Sequence, residues 1–418
     1  MNLTSTNLSK LLLLPQHYCI EEHMDQVEEL LMNHPVFSHL CKLEQSIQPV
    51  LTSIEENGVV VANEWFTTGL QEKRNQLAHV SNELNQLIGS SSNDVVEERA
   101  LRKFWSDNDF PQANGFDALR KYKHLHPTFR LMMERKSHQN YLKMWDEKLK
   151  QKGAPIMGGI SIKGTWQSFA SYTGRITARN LPLTSMPIAM RDYIVSQIGQ
   201  QIVSLDLDNA ELRFLAHYAK CDSLAEQFNQ GIDVHAETAK LLRGSMAGHG
   251  VNDEQARKLA KQFTYSLLYG AGAQTIVKNM QKVSHSITNA DVVALIDEFY
   301  ELYPELQVFL KERASSPKLL TPLGEIEPVA KFTRTQKKNY ALQAGVSVAI
   351  QLLMTTLAEH GIKIIHVLHD EAWVLLDKGM NLDNLIKQVE GAFKKKMKKH
   401  FPGLPTKQIL AKAKIGGN

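Results

Sequence analysis

Ile202-Val203-Ser204-Leu205-Asp206-Leu207-Asp208-Asn209-Ala210-Glu211-Leu212-Arg213-Phe214-Leu215-Ala216-His217 is the stretch on which the fold turns. Its first half is an apolar run of strand length that ends in two aspartates, and its second half reads as a helix that opens at once. Carboxylates at the exposed end of a rigid strand suit hard divalent cations such as Mg²⁺. That ion favours carboxylate oxygens and keeps waters that substrate phosphates can replace. The plainer reading is Asp208 or Asn209 as a helix N-cap.

Two further stretches extend this pattern. A helix is expected over about Asn252 to Tyr269, opening on the capping pair Asn252 and Gln255. Arg257, Lys261, Tyr265 and Tyr269 recur every fourth residue along it, so each lies about 40° round from the last on one slowly turning face. From Arg257 to Tyr265 the rise is roughly 12 Å, comparable with a nucleoside triphosphate from terminal phosphate to base. Cations would meet phosphates while a ring meets the sugar and base. The third stretch runs Ile364-Ile365-His366-Val367-Leu368-His369-Asp370-Glu371-Ala372-Trp373-Val374-Leu375-Leu376. Two apolar runs flank a His-Asp-Glu tripeptide, which reads as a hairpin with acids at its turn. Singly, each stretch has an ordinary alternative: a capped helix, a surface helix of chance spacing, a charged turn. Jointly, two carboxylates from separate strands can clamp two metal ions about 4 Å apart around an in-line phosphoryl displacement.

Composition sets the bounds. The chain has 418 residues, 43% apolar and 22% charged, which fits an ordinary globular protein of two to four structural units. The aliphatic run Leu11 to Leu14, closed by Pro15, is too short for a membrane span or a secretory signal, so a cytoplasmic protein with no membrane partner is expected. Cys19, Cys41 and Cys221 show no disulfide or zinc spacing. Net charge is +4, but residues 385–418 hold nine Lys against Glu390 alone, a basic region that suits a polyanion or a solvated helix face.

Helical spacing of Leu43, Ile47, Val50, Leu51 and Ile54 predicts a helix that ends at Asn57-Gly58, followed by a short strand at Val59 to Val61. A second helix follows over Leu70 to Ile88, and a third, Lys-rich helical stretch over Val95 to Lys152 is interrupted at Ser106 to Gly115. Gly153 to Gly164 marks a boundary. Beyond it, strand-like runs at Gln201 to Leu207, Ile362 to Leu368 and Ala372 to Leu376 are separated by a helix-rich block from about Ala210 to Arg313, which predicts a sheet interrupted by a helical insertion.

Asp-Leu-Asp-Asn-Ala-Glu-Leu-Arg (206–213), Arg257-xxx-Lys261-xxx-Tyr265-xxx-Tyr269-Gly270 and His369-Asp370-Glu371 resemble the three signature motifs of the A-family DNA polymerases, the group of bacterial DNA polymerase I. Thr173-Gly174-Arg175, Asp233-Val234-His235, Tyr303-Pro304, Thr321-Pro322-Leu323-Gly324 and Asn339-xxx-Gln343 add to the resemblance, which runs from about Leu43 to the last residues. It implies an α+β right-hand polymerase fold: a palm with an antiparallel sheet, helical fingers and a helical thumb. On this reading 1–41 is an N-terminal segment of unknown role, 42–152 the thumb, 153–210 with 320–418 the palm, and 211–319 the fingers.

The resemblance also implies roles. Asp206 and Asp370, with the Leu207 carbonyl and Glu371 as an auxiliary acid, would bind two Mg²⁺ ions, with Mn²⁺ as a substitute. Arg257, Lys261 and His235 would hold the triphosphate, Lys261 also protonating the leaving pyrophosphate. Tyr265 would stack on the incoming sugar and base, a Tyr there going with acceptance of dideoxynucleotides. Glu211 would exclude ribonucleotides. Tyr269 and Gly270 would sit where the template enters, and Arg175, Asn339, Gln343 and His369 would contact primer and template. The implied partners are primer-template DNA and dNTPs, with a separate exonuclease or replication factors as possible additions to a monomer. No nuclease activity is expected of the chain itself.

The resemblance is incomplete in places. Thr335 stands where an Arg is usual, with Arg334 one position away; Asp208 replaces a usual Ser, as a third metal ligand or a cap; and Asn180 to Pro187 follows the family pattern loosely. Rival readings are a single-subunit RNA polymerase, against which Glu211 and the His-Asp-Glu turn speak, and a non-catalytic DNA-binding relative.

Overall fold

The computed structural model describes residues 35–92, 96–111, 115–245, 252–322, 324–326 and 331–416. The segment 1–34, Leu323 of the Thr-Pro-Leu-Gly match, and Cys19 lie outside them. The chain divides into two compact units: a larger one formed by residues up to Glu56, Trp166–Ala178 and Gly199–Lys414, and a smaller one formed by Asn57–Thr165, Arg179–Ile198 and the residues from Ile415.

Helix α1 (Pro35–Asn57) ends where the Asn-Gly signal places it, and Ile47, Leu51 and Ile54 on its apolar stripe are at most 1% exposed. The smaller unit begins with β1 (Val59–Ala62) and continues through α2 (Gln71–Ile88), α3 (Glu98–Asp107), α4 (Phe116–Tyr122), α5 (Pro127–Leu142) and α6 (Lys148–Lys152). The third helical stretch of the sequence is thus several short helices. Strands β2 (Ala154–Ile156), β3 (Gly159–Ile162) and β4 (Ile194–Val195) complete a sheet of order β2-β3-β1-β4. Single π-helical turns at Trp65–Gly69 and Lys143–Glu147 meet where Trp65 Nε1 donates to the Trp145 carbonyl at 2.8 Å.

The larger unit is built on β5 (Gln200–Leu207) and, after it, α7 (Ala210–Ala219), α8 (Asp222–Gln230), α9 (Val234–Ser245), α10 (Asp253–Leu268), α11 (Ala273–Met280), α12 (Asn289–Leu302) and α13 (Pro304–Ser315). Helix α14 (Arg334–Glu359), strands β6 (Lys363–Leu368) and β7 (Glu371–Asp377), helix α15 (Leu382–His400) and strand β8 (Leu410–Ile415) follow. The sheet order is β6-β7-β5-β8, with β7 antiparallel to both β6 and β5. The helical insertion read from sequence is therefore α7 to α13, and β5 pairs with a strand more than 160 residues later in the chain.

Helix α14 is the core. By length and apolar composition it is the one helix among the described residues that could cross a membrane, but 83% of its apolar window is buried inside the protein. A β-carbon on its Gly345 would sit 2.7 Å from the Phe214 ring, so only glycine lets α7 pack this closely. The basic stretch of the sequence is α15, where Lys394 pairs with Glu390 at 2.9 Å and Lys396 with Glu359 at 2.8 Å, while Lys387, Lys395, Lys398 and Lys399 stay exposed.

Candidate active site

The ladder between β5 and β7 fixes the acids. Its register sets Asp206 directly opposite Glu371, and the Leu207 amide donates to the Asp370 carbonyl at 3.0 Å. Like charges at directly opposed positions repel. Burial, and then Asp370, Glu371 and Asp208, push the Asp206 carboxyl up to about 7. Burial also raises Asp370. Glu371, 6% exposed, accepts a hydrogen bond from Ser204 Oγ at 2.5 Å. The turn needs a left-handed residue at His369, φ 53°, which is exposed.

Among the described residues no three His, Cys, Asp or Glu side chains form a complete metal cage. Mg²⁺ does not need one, since it binds through one or two carboxylates and keeps waters and substrate phosphates as its other ligands. Asp206, Asp370 and the Leu207 carbonyl are donors of that kind, and a divalent cation would offset both the burial and the neighbouring carboxylates that raise Asp206.

Asp208 is not a helix cap. Helix α7 starts at Asn209 in left-handed conformation, φ 51°, without a side-chain cap bond. The Asp208 carboxylate accepts from Asn209 Nδ2 at 3.1 and 3.0 Å and from Arg213 Nη2 at 3.2 Å. Arg213, 2% exposed, spends its other donors on main-chain carbonyls: Asp208 at 2.7 Å, Pro405 at 3.1 Å, Lys407 at 3.0 Å and Gln408 at 3.3 Å. A buried guanidinium has to be satisfied in this way.

Glu211, on the first turn of α7, is held from two sides: Tyr269 Oη donates to its two oxygens at 2.6 Å, and Arg175 Nη2 lies 3.3 Å away. Burial nevertheless raises its carboxyl. Arg175 is placed by a tight loop in which the Gly174 carbonyl, at φ 76°, accepts from Ser347 Oγ of α14 at 2.5 Å.

Helix α10 begins with the expected capping box, Asn252 and Gln255 exchanging bonds of 2.9 and 3.1 Å. Arg257 Nε is tied to Asp233 Oδ2 at 2.8 Å. The other Asp233 oxygen accepts from the His235 and Ala236 amides at 3.0 and 3.1 Å, at the start of α9. Burial works against ionising Asp233, but Arg257 and these amides outweigh it and lower its pKa. Lys261 Nζ stands 6.0 Å from the Tyr265 ring centre, and its charge acts on Asp206. His235 is 1% exposed, its Nε2 is 2.8 Å from Asn209 Oδ1, and its ring lies 5.9 Å from Tyr265. Burial, then Lys261, lowers its pKa to about 4. A cavity of about 690 Å³ runs along α10, lined by Lys258, Lys261, Gln262, Tyr265, Tyr269 and Lys282 among others, within the usual size range of small-ligand clefts.

The sequence-predicted residues Asp206, Leu207, Asp370, Glu371, Lys261, Glu211, Tyr269, Arg175, His235 and Tyr265 are thus linked into one region of the larger unit. Arg257 joins it through Asp233. Gly270, φ 74°, abuts Thr335 and Lys338 at the start of α14. Asn339 is 4% exposed with Oδ1 lacking a partner among the described residues, and Gln343, one turn on, is half-buried; no bond ties either to the carboxylates. Sequence reasoning missed the tethering roles of Ser204, Asn209, Arg213 and Asp233. An arginine among apolar neighbours in Leu212-Arg213-Phe214 was the available signal for one of them.

Acids at a strand end, with the charge of a cationic helix acting on them, are the arrangement expected from the A-family resemblance. The POL domain of Pol1 from M. smegmatis, in complex with DNA primer-template and dNTP, has the same fold: TM-score 0.70 over 95% of this chain and 73% of that one, at 18% identity. The model of DNA polymerase family A matches residues 72–401, and the chain belongs to that family. DNA polymerase I of Helicobacter pylori is 24% identical over 331 residues, 74% of this chain and 35% of its own length. The DNA polymerase of Mycobacterium phage D29 is 27% identical over 179 residues, 41% of this chain and 28% of its own. The chain spans about a third of the length of the curated relatives it matches.

Proposed function

We propose that the chain is a DNA-directed DNA polymerase that adds dNTPs to a primer 3′-hydroxyl. The observation that carries this reading is the pairing of Asp206 with the Asp370-Glu371 turn at one strand end, within reach of the Lys261 charge. Asp206, Asp370 and the Leu207 carbonyl would hold two Mg²⁺ ions, and these would supply stabilisation of the charge on the oxygens of an in-line phosphoryl displacement. Ser204 keeps Glu371 back as an auxiliary acid. Arg257 and His235 hold the phosphates, Arg257 exchanging Asp233 for them. Lys261 delivers the proton to the departing pyrophosphate. Tyr265 stacks on the sugar and base, and Glu211, braced by Tyr269 and Arg175, makes a stiff wall against a 2′-hydroxyl. Tyr269 and Gly270 receive the template, while Arg175, Asn339, Gln343 and His369 position the duplex without reading its sequence.

In this reading residues 42–152 are the thumb, 153–210 and 320–418 the palm, and 211–319 the fingers of a cytoplasmic monomer. The test is extension of a labelled primer with Mg²⁺ and dNTPs, rNTPs or no nucleotide. Extension with dNTPs alone and an intact primer in the third lane is the expected result. Equal use of rNTPs, or no synthesis, overturns the reading. Dideoxynucleotides should terminate the chains efficiently.

A further inference from the structure

Four groups form an unbroken file from the interior of the larger unit to the His235 ring, which lies 5.9 Å from Tyr265 of α10. Arg213, locked by main-chain carbonyls, holds the Asp208 carboxylate at 3.2 Å. Both Asp208 oxygens take bonds from Asn209 Nδ2, at 3.1 and 3.0 Å. A carboxylate accepts and cannot donate, so the Asn209 amide has one orientation, with its nitrogen toward Asp208 and its oxygen away. That oxygen lies 2.8 Å from His235 Nε2. It can only accept, so Nε2 carries a proton. The other ring nitrogen, Nδ1, is buried and has no hydrogen-bond partner among the described residues. Lys261, Asp233, Arg257 and Asp208 are the charges that act on the ring, with Tyr265 beside it.

We propose that Asn209 is a positioning residue for the nucleotide: turned by Asp208, it fixes the tautomer and ring plane of His235 and leaves Nδ1 as the atom offered to a phosphate oxygen. This rests on the reading of the chain as a polymerase. The phosphate would be taken up together with a proton from water, which goes to Nδ1; its negative charge would offset the burial and the Lys261 charge that otherwise keep the ring neutral, and the ring would then donate on both sides. Arg213 and Asp208 act through Asn209 and do not touch the substrate.

Asn209→Gly is the decisive variant, because φ 51° suits glycine and the helix start keeps its shape. KM for dNTP should rise about three- to tenfold, the scale of one lost hydrogen bond, while kcat stays within about twofold. In a His235→Gln background the Asn209→Gly change should add nothing further, as for two members of one unit. Long-range ¹H–¹⁵N correlation of ¹⁵N-histidine protein should show His235 protonated at Nε2 in the native chain and a mixture of tautomers in Asn209→Gly. Asp208→Ser should move both readouts the same way, and Asp208→Asn should restore them in part. Additive effects in the double variant, or an unchanged His235 ¹⁵N pattern, overturn the proposal. Absence of any dNTP-dependent synthesis in the native chain would instead sink the polymerase reading, and the ¹⁵N pattern would still decide whether Asn209 governs His235.

Discussion

The strand end and helix α10 hold opposite charges by opposite means. Asp206, Asp370 and Glu371 are placed by main-chain pairing between β5 and β7, so their spacing is set by a ladder that no ligand needs to disturb. Arg257 is placed by a carboxylate just ahead of α9, and Tyr269 by Glu211. Those partners are side chains; on the proposed function an incoming phosphate would displace Asp233 from Arg257, while Tyr269 would stay on Glu211 as its brace. The acids are a fixed template, whereas Arg257 is parked on a stand-in. On the proposed function, that division would let a metal-binding part stay put while a phosphate-binding side chain changes partners.

If the acids are a template that acts only in chemistry, Asp206→Ala or Asp370→Ala should lower primer extension by at least about 10³-fold. The Kd for primer-template DNA should stay within about twofold by fluorescence anisotropy, and a parallel loss of binding would break the contrast. Lys261→Ala should cost about 10² to 10⁴ in kcat as a lost proton donor, with single-turnover kinetics separating this from product release. A smaller effect concerns the repulsion stored at the strand end. Asp206 titrates near 7 in the folded chain against an ordinary value of 3.8, so between those values the native state keeps a proton that the unfolded chain gives up. The stability contributed by that proton is present below about 4 and is lost as pH rises to about 7. In chelator, Asp206→Asn should therefore melt about 2–4 °C higher than the native chain at pH 8 and nearly level with it at pH 4, and Mg²⁺ should narrow the gap at pH 8. The smallest change is expected on the parked side. Asp233→Asn frees Arg257, and because that pair is half exposed the gain in dNTP affinity should be no more than about two- to threefold in KM. A rise in KM would mean that Asp233 orients Arg257 for the phosphate and is no stand-in.

What could be read in the sequence followed this same division. Apolar runs ending in acids announce β5 and β7 whatever they pair with, and a four-residue recurrence announces the face of α10 through Arg257, Lys261, Tyr265 and Tyr269. The start of α10 was legible to the residue, because a capping box is a local rule. Partners far apart in the chain were not. Nothing near Arg213 indicates the carbonyls of 405, 407 and 408, and nothing in Val59–Val61 tells which strands flank it; its partners β3 and β4 lie a hundred or more residues on. The stretch 95–152 read as one interrupted helical run because periodicity does not register where short helices stop. Asp208 stayed ambiguous between cap and ligand because the distinction depends on a left-handed Asn209, a conformation that Asn tolerates but does not announce.

Arg213 grips 405, 407 and 408 through main-chain oxygens only, so the restriction on that loop is one of path and length, with side-chain identity left open. For recombination between relatives, a crossover that imports a foreign loop of equal length after α15 should leave the strand end intact. One that inserts or deletes a single residue there should slacken it, even with every acid and cation in place.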